Sequence, residues 1–257
     1  MYYRLVIALL LTLCPVCSLP LAAADPPLVA AASGMQFALR EIVKSYAADS
    51  GSEVRLTLAS SGKLFRQIEN GAPFQMFISA DASLVQRLEA SGLTQGKGFI
   101  VARGRLAILA PEGSPFEPDA DLQGLRQALA AGQIRRFAIA SPKHAPYGQR
   151  AREALQSAGL WAHLQDKLVI GENVAQATQF ALSGAAQGGL VARSLLSTEQ
   201  TVERDRYALL PETWHQPLLH SMVLLKNADR TTMKFFQYLK SPAAQQIFSR
   251  YGYSTGF

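Results

Sequence analysis

Along almost its whole length this chain alternates short apolar runs with stretches of helical period. That alternation restricts it to folds in which a mainly parallel sheet is covered by helices on both faces. Leu28–Ala32 is a continuous apolar run, and Met35, Leu39, Ile42, Val43 and Tyr46 follow it at helical spacing up to Gly51. Val54, Leu56 and Leu58 alternate as a strand does. Leu64, Phe65 and Ile68 mark the next helix, which stops near Gly71, and residues 76–79 form another strand. Leu84, Val85 and Leu88 share one helical face closed by Gly92, and Asp81 is placed to cap that helix. The same order continues with strands expected at 99–101, 106–109, 137–140, 168–170, 189–192 and 218–225. Helices are expected at 121–131, 147–158, 174–183, 233–239 and 243–251. No repeat is evident and no low-complexity linker divides the chain. Two lobes joined by crossing strands, with 105–110 and 218–225 as the candidates, therefore fit best. The expected split places 25–105 and 220–257 in the first lobe and 106–219 in the second.

Residues 1–24 read as a secretory signal: Arg4 supplies a positive start, 5–13 an apolar run too short to span a bilayer, and Ala22-Ala23-Ala24 a small-residue cleavage site before Asp25. The only cysteines, Cys14 and Cys17, lie in this segment, and the residues before each suit lipoprotein processing poorly. Cleavage near Ala24 leaves a periplasmic chain without disulfide or thiol chemistry. At 49% hydrophobic and 17% charged residues the chain is rich enough in apolar side chains to fold. Its net charge of +6 is scattered, with Arg135-Arg136 the one adjacent basic pair, which argues against nucleic-acid binding. A mild positive field suits anionic ligands instead.

Four strand-to-helix junctions carry the functional signal. Ala30-Ala31-Ala32-Ser33-Gly34 and Ala59-Ser60-Ser61-Gly62-Lys63 each put a hydroxyl and small residues on a first helical turn. Pro146-Tyr147-Gly148 and Glu172-Asn173-Val174 are the counterparts in the second lobe. Backbone N–H groups at such starts lack partners and sit at the positive end of the helix dipole, so they receive anions without Lys or Arg. Pro146 suits a helix entry, Gly148 permits close approach to the backbone, and Asn173 as N-cap leaves the Val174 N–H pointing outward. Taken singly, each of these is an ordinary cap or turn residue, and the Tyr147 ring reads equally as a packed lid. Lys63 lacks the glycine spacing of a phosphate loop and reads as a rim lysine. His144, His163, His215 and His220 show no metal-ligand spacing. An enzymatic alternative, a secreted hydrolase using Ser60 or Ser61 with His144, lacks a Gly-x-Ser-x-Gly elbow, and nothing in the sequence places His144 beside either serine.

The chain resembles the periplasmic molybdate-binding proteins of bacterial molybdate ABC importers. The segments that carry the resemblance are Ala30 to Ser33, Ala59 to Leu64, Gln67 to Pro73, Phe77 to Asp81, Pro142 to Gly148, Glu172 to Val174, and Tyr238 to Ala244 continuing through Phe248 to Gly252. They run in one order over essentially the whole mature chain. The resemblance implies a type II periplasmic binding fold, α/β in class, whose two lobes close on a ligand held in the cleft between them. It implies a non-enzymatic receptor that delivers molybdate, and tungstate with it, to an inner-membrane permease. It implies no cofactor, no nucleic-acid partner and a monomer.

The resemblance also assigns roles. Ser33 and Ser61 would donate from hydroxyl and backbone, and Tyr147 and Val174 from backbone, holding molybdenum through its oxygens without direct protein–metal bonds. Gly34, Ser60, Gly148, Asn173 and Ala192 are possible supporting positions. Some relatives place a tyrosine donor where this chain has Ala192, so that donor is absent or replaced, by the Gly34 N–H or the Tyr147 side chain. The family also favours acids where Gln75 and Ser141 stand. The missing tyrosine keeps a receptor for sulfate or another anion open as the alternative ligand reading.

Overall fold

A computed structural model describes residues 25–196 and 206–256. The expected signal segment, Cys14 and Cys17 lie outside the described residues.

Two five-stranded sheets form the frame. In the first, β1 (Leu28–Ala32) lies between β2 (Arg55–Ala59) and β3 (Met76–Ser79), parallel to both. Antiparallel β10 (Leu218–Leu225) joins β3 to the edge strand β4 (Thr94–Gly104). The second sheet repeats the plan. There β6 (Phe137–Ala140) is parallel to β7 (Leu168–Gly171) and β8 (Gly189–Ala192). Antiparallel β5 (Leu106–Ala110) lies between β8 and β9 (Arg206–Leu209).

The chain changes sheets at the single residue Arg105 between β4 and β5, and returns between β9 and β10. No strand is shared: β5 lies wholly in the second sheet and β10 wholly in the first, where Leu218 and Leu219 pair with Gly104 and Arg103. The crossings are therefore backbone links between strands rather than the two strands expected from the sequence. Two further departures have simple causes. β4 runs far beyond the expected 99–101 because β10 pairs along its length through two register shifts. β9 is a four-residue edge strand of half-exposed side chains, too short and too mixed to carry a period.

Burial on both faces explains the unbroken apolar strands. In β1, Val29 and Ala31 face a core completed by Leu39 of α1 (Gln36–Ser50), Phe235 of α8 (Arg230–Tyr238) and Phe248 of α9 (Pro242–Arg250). Ala30 faces the opposite core, with Leu64 of α2 (Ser61–Glu69) and Leu88 of α3 (Ala82–Ala90). In the second sheet Ile108, Phe137 and Ile139 pack with Leu125 of α4 (Gln123–Ala130) and Leu155 of α5 (Pro146–Ser157). Ala107, Ala138 and Val191 face Ala181 of α7 (Val174–Leu182), which follows the one-turn helix α6 (Trp161–Leu164). Asp81 caps α3 by accepting from Ser83 N at 2.9 Å, as expected. Gln75 Oε1 accepts from Asp229 N and Thr232 Oγ1, both at 2.8 Å, and holds the start of α8.

Gly148 on the first turn of α5 answers to packing against β6. A Cβ there would lie 2.3 Å from Ala140 O and 2.6 Å from the Ser141 carbonyl carbon. Its N–H is already bonded to Ala145 O at 2.9 Å. Neither neighbour is a side chain that can turn away. Gly148→Ala is expected to destabilise the protein by about 1–3 kcal/mol through overpacking. Thermal unfolding checks this as a fall in Tm of about 2–4 °C per kcal/mol for a chain of this size.

Candidate functional site: a cleft of helix starts

Each candidate residue opens a helix directly after a strand. Ser33 and Gly34 begin a 3-10 turn after β1. Ser60 is the cap and Ser61 the first residue of α2 after β2. Tyr147 is second in α5, behind Pro146, and Val174 is first in α7. The first N–H groups of a helix have no partner inside it. Here Ser33, Gly34, Ser60, Ser61, Tyr147 and Val174 all line one small cavity of about 10 Å³, between elements of the two sheets. Alanines and Pro146 complete its wall, and among the described residues no charged side chain lines it.

The hydroxyl of Ser61, 1% exposed, accepts a hydrogen bond from Ala80 N–H at 3.0 Å. Its own proton is therefore available as a donor, with the cavity beside it. Gly34 is one of the places where the two halves close on each other. A Cβ on it would lie 3.2 Å from Val174 Cγ1, 3.3 Å from Tyr147 Cε2 and 3.7 Å from Ala192 Cβ. Its carbonyl is held by two buried hydroxyls, Ser194 Oγ at 2.8 Å and Tyr253 Oη at 2.9 Å. This clamp sets the peptide that follows the Gly34 N–H.

Three supporting candidates lie outside the cavity wall. Gly148 serves packing, as above, and not ligand approach. Asn173 caps α7 by accepting from Gln176 N at 3.1 Å, which leaves Val174 N–H unused at the first helical position. Ala192 closes on Gly34 from β8 without entering the wall. Nor does the Tyr147 hydroxyl stand in for the missing tyrosine. It is buried against Gly104, where a Cβ would sit 2.3 Å from Oη and 2.7 Å from His220 Cε1. Among the described residues, Tyr147 Oη and His220 Nε2 have no partner at hydrogen-bond geometry. Burial, reinforced by neighbouring Tyr253 and opposed by the Ser194 hydroxyl, pushes the Tyr147 phenol well above its usual range, so it stays neutral. Gly104, Ser194, His220 and Tyr253 had no sequence signal tying them to the cleft.

At the mouth, Lys63 lies outside the wall and pairs with Glu172 at 3.2 Å, both largely exposed, in keeping with a rim lysine. His144 is placed where the sequence could not put it: its Nδ1 is 2.9 Å from Ser60 Oγ, and its carbonyl accepts from Gly62 N–H at 3.0 Å. Among the described residues no cluster of three or more His, Cys, Asp or Glu could hold a metal ion. The donor set suits a fully deprotonated tetrahedral oxyanion, which offers only acceptors.

Residues 27–254 match the model of the bacterial extracellular solute-binding protein family, and the chain belongs to that family. It is 32% identical to the molybdate-binding protein ModA of Rhodobacter capsulatus over 237 residues, 91% of this chain and 90% of the relative. It is 30% identical to ModA of Escherichia coli K12 over 88% of each chain. Its fold superposes on the solved periplasmic molybdate-binding protein of Azotobacter vinelandii with a TM-score of 0.82 and 28% identity, covering 90% of this chain and all of that one. The two-lobed α/β architecture implied by the resemblance is thus the observed one.

His220, fully buried on β10 behind the cavity, points Nδ1 at Leu218 O, 3.1 Å away. Burial lowers its pKa from 6.5 to about 4, the Leu218 carbonyl only partly opposing this. Because the unfolded chain then takes up the proton first, stability is full above about pH 6.5 and falls as the pH drops towards 4. This one residue accounts for about 3 kcal/mol of that loss. Denaturant unfolding at pH 7 and pH 4.5 checks it: His220→Gln is expected to shrink the difference between the two.

Proposed function

We propose that this protein captures molybdate, and tungstate with it, in the cleft between its two lobes and delivers it to an inner-membrane ABC permease. In this reading it works as a monomer in the periplasm, exported by the signal at 1–24, with lobes 25–105 plus 220–257 and 106–219 closing over the anion. The observation that carries the reading is a wall of donors in which, among the described residues, no charged side chain stands. Ser33 and Ser61 donate from hydroxyl and N–H, and Tyr147 and Val174 from N–H, with Gly34 N–H in place of the tyrosine that Ala192 lacks. Molybdenum is held through its oxygens, and no cofactor takes part. The ModA relatives support this choice of anion.

Neutral donors discriminate by protonation. Monohydrogen phosphate brings an O–H that this wall cannot accept, and an unmatched buried group costs about 1–3 kcal/mol. Sulfate, also a dianion, must be rejected by size. Closure around a fixed site is the motion by which such a receptor presents a new face to its permease.

The Ser60–His144 contact gives the hydrolase alternative the nucleophile–base pair it needs. Among the described residues, however, no carboxylate hydrogen-bonds the other ring nitrogen to orient it, so we take the pair as part of the binding cleft. Ester turnover that disappears in Ser60→Ala would reverse that choice.

Calorimetry and thermal unfolding with molybdate, tungstate, sulfate and phosphate test the receptor reading. Molybdate at about 1,000 times its Kd should stabilise the protein by about 4 kcal/mol. Ser33→Ala and Ser61→Ala should each weaken binding about 10- to 100-fold, as expected for a hydrogen bond to a charged group. An equal shift with sulfate or phosphate would remove the specificity claim.

A further inference from the structure

We propose that His144 is a positioning residue that turns the Ser60 hydroxyl proton into the anion cavity and ties that donor to closure of the cleft. The inference rests on the oxyanion-receptor reading of the cavity.

Ser60 occupies the cap position of α2, yet its side chain makes no capping bond. The Lys63 and Leu64 N–H groups go to its backbone carbonyl, both at 3.1 Å. The hydroxyl, on a residue 4% exposed, instead meets the His144 ring, and Ser60 lies in the cavity wall. A hydroxyl has one proton to give. If Ser60 donates to an unprotonated Nδ1, only oxygen lone pairs remain to face the cavity, and these repel an anion. If Nδ1 carries the proton and donates to Ser60 Oγ, the serine proton is free to bond the anion. An oxyanion therefore selects the state of His144 with hydrogen on Nδ1, which is either that neutral tautomer or the imidazolium.

The same residue is fixed to the opposite half through its backbone. Its carbonyl accepts from Gly62 N–H at 3.0 Å, and a Cβ on Gly62 would lie 2.5 Å from that oxygen. His144 reaches Ser60 only when α2 and the loop before α5 are in contact, so this donor exists only in the closed cleft. The charged groups around the ring are Arg66 and Lys63 on α2, Glu172 before α7, and Lys143 beside it. Burial and then Arg66 hold the imidazole below its usual range, Glu172 opposes them, and Lys63 and Lys143 add to the lowering. A bound dianion supplies the negative charge that favours the proton, so binding shifts the imidazole towards its protonated form.

The test is calorimetry of molybdate binding between about pH 6 and 8, in buffers of differing ionisation heat. It compares the wild-type chain with His144→Ala, His144→Asn, Ser60→Ala and the double variant His144→Ala/Ser60→Ala. Wild type is expected to bind more tightly as pH falls, with proton uptake. His144→Ala should weaken binding about three- to tenfold, the usual worth of one hydrogen bond. His144→Asn, whose amide N–H can donate to Ser60 Oγ, should keep most of the affinity and lose the pH dependence. In the Ser60→Ala background, His144→Ala should cost nothing further. Unchanged binding in His144→Ala, or an equal loss with Ser60 already removed, overturns the role of His144 while leaving the receptor reading intact. A wild-type chain that takes up no molybdate overturns both.

Discussion

The N–H groups of a first helical turn cannot be satisfied by their own helix, and in this protein four such turns face a single cavity. Everything else about the cleft follows from keeping them dry, fixed and unspent. The helix dipoles add positive potential at the same point, so a doubly charged anion finds stabilisation without a lysine or arginine. Donors that are part of the backbone carry little conformational freedom to lose on binding. Their positions are set by the strands that precede them, of which β1 and β6 are almost wholly buried.

Missing side chains make this geometry possible. Gly34 and Gly62 sit on the first-sheet side and press directly against Val174, Tyr147 and His144 from the other. Gly104 does the same at the point where the chain passes between sheets, under the Tyr147 hydroxyl. Any Cβ at these places would hold the halves apart and spread the donors. Close approach of the two halves and a small anion site are thus one constraint, met by glycine and alanine along the seam.

Behind the donors lies a layer of polar groups that never see solvent. Ser194 and Tyr253, 160 and 219 residues from Gly34, converge on its carbonyl. His220 stacks edge-on against Tyr253 with ring centres 5.1 Å apart. Burial raises both tyrosines and lowers the histidine, so the layer is neutral at physiological pH. A neutral backing leaves the field in the cleft to the helix starts, and its hydrogen bonds hold the Gly34 peptide rigid.

Much of this was legible in the sequence because it is local. Strand and helix periods, the Asp81 and Asn173 caps, Pro146 at a helix entry and the four small-residue helix starts all depend on neighbours within a few positions. What the sequence concealed depends on distance along the chain. Gly148 looks like an invitation to a ligand until Ala140 and Ser141 are seen beneath it. Ser60 looks like a cap until His144, 84 residues on, takes its hydroxyl. Ala192 looks like a vacancy for a donor, whereas it closes, with the Tyr147 ring and Val174, on Gly34. Local propensity thus determined which segments become donors. Only the tertiary structure decided which donors share a cavity and which hydroxyl protons remain free to enter it, because a hydrogen bond is directional and its partner is chosen by proximity in space.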